Sequence, residues 1–104
     1  QLYNGNTAIA RARDNLPNLR VIASQAADDM LNIAGTKAAF VLYPYDGDAA
    51  ISARSLGEVN VQLIMEKLGG GGHMTVAGAQ LKGTGIDDAA ELLRHAIDKY
   101  LEEK

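Results

Sequence analysis

The sequence predicts a small single-domain α/β fold, a mixed β-sheet with packed helices in the order β-α-β-β-α-β-α. Three observations carry this. The continuous apolar run AAFVLY at 38–43 has the length and β-forming composition of a strand covered on both faces. TAIARAR at 7–13 and AISARSL at 50–56 alternate with period two, as half-buried strands do. Val61, Ile64, Met65 and Leu68, and later Leu93, Ala96, Ile97 and Tyr100, repeat at the spacing of one helix face.

Taken in order, 7–13 is the first strand, weakened by its alanines. Pro17 and the asparagines around it break the pattern. Ser24 then stands as a helix N-cap, with Ile22, Ala26, Met30 and Ile33 spaced for a buried face and Gly35 suited to the C-terminal cap. Residues 38–43 form the centre of the sheet, ended by Pro44. Asp46 and Gly47 supply a turn, so 38–56 reads as an antiparallel hairpin. Asn60 caps the next helix, which the glycines stop at Gly69. VAGAQLK at 76–82 is a short strand, and Asp87 or Asp88 opens a last helix that is acidic early and more basic late, as the helix dipole favours.

Composition narrows the function. A chain of 104 residues, 47% apolar, is the size of one domain with one core. A net charge of -3 lacks the broad positive field that binding of long nucleic acid needs, so any anion is bound locally. The absence of cysteine excludes disulfides and thiolate metal sites. No apolar run reaches the roughly 18 residues of a membrane helix. Asp28-Asp29, Asp46/Asp48 and Asp87-Asp88 are each explained by turns and helix starts, and none combines with a histidine at metal-ligand spacing. No nucleophile and base pair stands out either. The chain begins at Gln1 with a strand close behind, which suggests a piece of a longer polypeptide whose catalytic groups lie upstream.

The feature that asks for an explanation is EKLGGGGHMTVAGAQL at 66–81. Each ordered glycine costs about 0.5–1 kcal/mol relative to alanine. Gly69-Gly70-Gly71-Gly72 is either a hinge or helix terminator, or a backbone cradle whose N–H groups face phosphate oxygens. No GK[ST] follows and a helix precedes, so neither a Walker loop nor a dinucleotide fingerprint is present. His73 is a capped or surface histidine, or a donor at the rim of an anion site. Arg54 is a solvent-facing strand residue, or together with Ser55 a fork and hydroxyl for phosphate. Arg54, Ser55, the glycine N–H groups and His73 form the candidate cluster. His95 reads as solvated. Tyr43 and Tyr45 flank Pro44 as stacking surfaces for a base or as packing groups.

The stretch ISARSLGEVNVQLIMEKLGGGGHMTVAGAQL, 51–81, resembles the DHH-associated C-terminal domain of the DHH phosphoesterases, and the element order fits from about residue 5 onward. Its wording is most similar to the branch of membrane-bound bacterial cyclic-di-AMP phosphodiesterases. Nano-RNase and single-strand exonuclease members carry a shorter GGH version, and alanyl-tRNA synthetase a glycine-rich relative without this histidine. Residues 74–78 occupy a variable stretch of the pattern.

The resemblance implies a substrate-binding domain, here 1–104, that closes over the cleft of an upstream DHH domain holding two manganese ions. No catalytic or metal-binding residue is then expected in this chain, which alone would be inactive. The implied substrate contacts are Arg54, Ser55, the backbone of Gly70, Gly71 and Gly72, and His73. The implied activity is hydrolysis of cyclic di-AMP to the linear dinucleotide by a protein anchored in the membrane with this domain on the cytoplasmic face. A nano-RNase-like domain for short oligonucleotides, or a non-catalytic nucleotide-sensing module, are the alternatives. The strand at 7–13 also offers an edge for a homodimer.

Overall fold

A computed structural model describes residues 3–12 and 16–103. Burial explains its centre. The apolar run becomes β2 (Ala38–Tyr45), in which 38–43 are all buried. Alternate side chains serve two cores: Ala38, Phe40 and Leu42 face one side, Ala39, Val41 and Tyr43 the other.

Around β2 lie β1 (Thr7–Arg11), β3 (Asp48–Ser55), β4 (Gly71–Gly72) and β5 (Val76–Leu81), in the sheet order β1-β2-β3-β5-β4. β1 pairs parallel to β2, and every other pairing is antiparallel. The helices are α1 (Leu19–Met30), α2 (Val61–Glu66) and α3 (Ile86–Glu102). α1 packs on one face. α2 and α3 cover the other, where Phe40, Leu42, Ile51, Ile64, Met65 and Leu93 are fully buried.

The mixed α/β class and element order agree with the sequence reading, with one strand added. β4, two glycines long, carries no side chain and so no pattern to read. The first strand stops at Arg11, and Arg13 of the expected 7–13 segment lies outside the described residues. β1 is an edge, but Tyr3 folds back along it, exchanging hydrogen bonds of 2.7 and 3.0 Å with Thr7. β2 runs through Pro44, whose missing N–H the turn end of a hairpin tolerates. The turn has φ of 53° at Asp46 and 81° at Gly47, both positive as a tight hairpin requires. Asn60 caps α2 as expected, accepting from the Leu63 N–H at 3.3 Å. The last helix begins one residue early, with Gly85 as its N-cap.

α1 departs most from expectation. It begins at Leu19 after Asn18, which has φ 60° and makes no side-chain cap. Ser24 is therefore mid-helix and caps nothing. The buried stripe is Leu19, Ala23 and Ala27; Ile22 and Ile33 are 44% and 55% exposed, with Ile33 past the helix end, and Gly35 is likewise beyond the C-cap at Leu31. The physical reason is proximity: alanines let the helix lie close against Ala39, Val41 and Ala50 of the sheet, where a stripe of isoleucines would hold it away.

Candidate functional site

α1 covers β2 and part of β3, leaving the β3-β5-β4 portion of that face open. A cavity of about 490 Å³ occupies the gap, lined by residues of α1 and β2 to β5 and by Gly70. That volume lies within the range of small-molecule pockets.

Its floor is made by small residues in register. Ser52 of β3 pairs with Gly78 of β5, which pairs with Gly71 of β4. Two residues along β3, on the same face, is Arg54. On the facing helix, Arg20, Ser24 and Asp28 follow one another at i, i+4 and i+8. The Ser24 and Ser52 hydroxyl oxygens are 3.3 Å apart, and the Asp28 carboxylate forms an ion pair with Arg54, its Oδ1 lying 3.2 Å from Nε. Arg54 Nη1 donates to the Ala53 carbonyl at 2.9 Å. The guanidinium is thus held in one place, its side chain only 15% exposed.

The glycine run is the first arm of a tight hairpin and no slack linker. α2 ends in a Schellman motif: the Gly70 N–H bonds the Met65 carbonyl at 2.8 Å and the Gly69 N–H bonds the Glu66 carbonyl at 3.2 Å, with Gly69 at φ 84°. His73 and Val76 then exchange bonds of 2.7 and 3.3 Å across the loop Met74-Thr75. Antiparallel alternation from that pair makes Gly71 bond Gly78 and turns the N–H of Gly72 outward. Most N–H groups of the run are therefore spent within the fold. The glycines shape the cavity by lacking side chains. A Cβ on Gly70 would lie 2.1 Å from the Gly78 carbonyl oxygen, whereas one on Gly71 would meet nothing within 4 Å.

Of the residues singled out from sequence, Arg54, Gly70, Gly71, Tyr43 and Tyr45 line the cavity. Gly72 and His73 stand beside it on the hairpin, both exposed. Ser55 points to the opposite face of the sheet, because neighbours on a strand alternate; its hydroxyl donates to the Met74 carbonyl at 3.4 Å and accepts from the Gly57 N–H at 3.3 Å. The hydroxyl that accompanies Arg54 is Ser52, and the i-2 step from Arg54 was the signal for it. Ser24, Arg20 and Gln80 were also missed. Ser24 was assigned to a cap, and Gln80 needs the β3–β5 register to be placed.

At the far end of the cavity Gln80 Nε2 donates to Asp48 Oδ2 at 2.9 Å, and the Gly83 N–H donates to Asp48 Oδ1 at 2.8 Å. These two bonds, the backbone one first, hold the Asp48 carboxyl below its ordinary 3.8. Among the described residues no group of three His, Cys, Asp or Glu could hold a metal ion. No helix among them is long and apolar enough to cross a membrane.

Comparison with known proteins places this geometry. The profile of the DHHA1 domain matches residues 6–103. The chain is 48% identical over 104 residues to the cyclic-di-AMP phosphodiesterase GdpP of Bacillus subtilis (strain 168), a match that covers 97% of this chain and 16% of that protein. It is 50% identical over 102 residues to the cyclic-di-AMP phosphodiesterase PdeA of Listeria monocytogenes serotype 1/2a (strain 10403S), covering 96% of this chain and 15% of that one. The chain therefore spans about one sixth of the length of these relatives. Among solved structures, an exopolyphosphatase-related protein from Bacteroides fragilis superposes with a TM-score of 0.80 at 22% identity, over 96% of this chain and 31% of that one, a likeness of fold.

Proposed function

The chain belongs to the DHHA1 domain family, and from that premise we propose that it is the substrate-binding domain of a phosphodiesterase that opens cyclic di-AMP to the linear dinucleotide. The observation that carries this is the cavity walled by Arg54 on one side and by bare glycine backbone on the other. A guanidinium offers a phosphate a planar fork, and the glycines let the phosphate approach the backbone closely. Arg54, Gly70 and Gly71 form the phosphate wall of this reading. Gly72 and His73 close it from the hairpin, and Ser55 acts as a positioning residue by holding the Met74 carbonyl beside His73.

The residues described here do not fit a two-metal centre, so no step is routed through one. The manganese ions belong, in this proposal, to a DHH domain elsewhere in the complete protein, as does its membrane anchor. This domain alone binds substrate and does not cleave it.

The test is incubation of the complete protein with cyclic di-AMP and Mn²⁺, with products separated by chromatography. The linear dinucleotide is expected, and Arg54→Ala should lower kcat/KM by about 10- to 100-fold, the loss of a charge-assisted hydrogen bond. An intact substrate, or full activity in Arg54→Ala, would overturn the proposal. Preferential cleavage of short linear oligonucleotides would favour a nano-RNase-like role.

A further inference from the structure

The end of the cavity away from the glycines has a different chemistry. Tyr43, Ala50 and Gln80 form one row across β2, β3 and β5. Two strand spacings separate Tyr43 from Gln80, about 10 Å, with only the Ala50 methyl between them. Tyr45, two residues beyond Tyr43 on the same face, is 43% exposed, and Arg20 of α1 lines the cavity at this end. The accessible flat surfaces are those of Tyr45 and Arg20, over a floor made by Ala50 and the largely buried Tyr43, and together they suit a planar heterocycle.

Gln80 adds a directional polar edge. Asp48 accepts only, and both its oxygens are engaged, by Gln80 Nε2 and by the Gly83 N–H. The carboxamide nitrogen must therefore face Asp48, which fixes the amide against flipping. Its oxygen and its remaining N–H are left as an ordered acceptor and donor. That pair complements an exocyclic amino group next to a ring nitrogen, the edge by which glutamine recognises adenine. Arg54 lies four residues along β3 from Ala50, about 13 Å, so a nucleotide spans from the phosphate wall to this row.

We propose that the Tyr43–Ala50–Gln80 end of the cavity is a nucleobase subsite that selects amino-bearing purines, with the Gln80 carboxamide as the reading group and Asp48 as its positioning residue. The inference deepens the function proposed above and rests on that reading for the nucleotide class of the ligand.

The experiment uses the complete protein and two mononucleotides that differ at one exocyclic group, AMP with an amino group and IMP with an oxo group. Binding is measured by titration calorimetry for the wild type, Gln80→Ala and Asp48→Asn, with cyclic di-AMP hydrolysis followed in parallel. The wild type should prefer AMP by about tenfold. Gln80→Ala should reduce that preference to about twofold or less by weakening AMP while leaving IMP unchanged, and Asp48→Asn, which lets the amide turn, should fall between. No preference in the wild type, a preference that survives Gln80→Ala, or equal weakening of both nucleotides would overturn the subsite. Because binding is scored without turnover, the two proposals fail separately. A Gln80-dependent preference without cleavage of cyclic di-AMP sinks the phosphodiesterase and keeps the subsite; cleavage without that preference does the reverse.

Discussion

Asp28 holds Arg54 from across the gap between α1 and β3, with its carboxylate 3.2 Å from Arg54 Nε. The pair is asymmetric. Arg54 is 15% exposed and Asp28 62%, so the carboxylate sits in water and contributes at most about 1 kcal/mol to stability. Its larger effect is on where the guanidinium points. Engaging Nε and one Nη leaves the far side of the fork free for a ligand. Asp28→Ala should therefore leave the urea midpoint almost unchanged while raising the KM for substrate by about three- to tenfold. Loss of stability without change in KM would make Asp28 a structural partner only.

The glycines separate into positions that need their missing side chain for folding and one that needs it for binding. Gly70→Ala places a Cβ against the Gly78 carbonyl oxygen, 2.1 Å away, and should cost about 1–3 kcal/mol. For a domain of this size each kcal/mol lowers Tm by about 4–8 °C. Gly71→Val meets open space and should fold with a Tm within about 2 °C of the wild type, yet abolish hydrolysis because the new side chain fills the cavity. Thermal unfolding and turnover measured on the same two variants decide it. Normal turnover in Gly71→Val would show that the run serves the hairpin alone.

Two serines three residues apart on β3 make the next comparison. Ser55 is buried, with both of its hydroxyl bonds made to backbone. Ser52 faces the cavity and Ser24. Ser55→Ala should lower stability by about 1 kcal/mol. Its effect on turnover should come through the loop that carries His73. Ser52→Ala should raise KM several-fold, with a stability loss no larger than about 1 kcal/mol. Equal effects of the two on KM would place Ser55 in the cavity after all.

These residues show what the sequence made legible. β2 was readable as an unbroken apolar run, and β3, α2 and α3 because their side chains repeat at the period of the element that buries them. The glycine run was conspicuous for its cost. α1 was misread because alanine scores weakly in any hydrophobic pattern, and the isoleucines that dominated the reading turned out to be exposed. The pairing of Arg54 with Ser55 joined chain neighbours that a strand sends to opposite faces. Its true companions, Ser24, Ser52 and Asp28, come from a helix and a strand whose alignment only the packed alanine stripe establishes.

The hairpin end of β3 carries the clearest pH dependence. Asp48 accepts the Gly83 N–H and the Gln80 amide, and these bonds depress its pKa below 3.8 in the folded chain. Above that value the carboxylate is ionised whether the chain is folded or not, and its stabilisation is complete. As pH falls below it, the unfolded chain takes up the proton first, so the contribution declines and is gone once the folded carboxylate is also protonated. Asp48→Asn removes the ionised acceptor and the titration together. The stability gap between wild type and Asp48→Asn, taken from urea unfolding, should therefore be constant from about pH 7 down to about pH 5 and narrow below 3.8. A gap that stays constant through the acid range would mean that the two hydrogen bonds do not depend on charge, and the carboxylate would then lose its role in fixing the Gln80 amide.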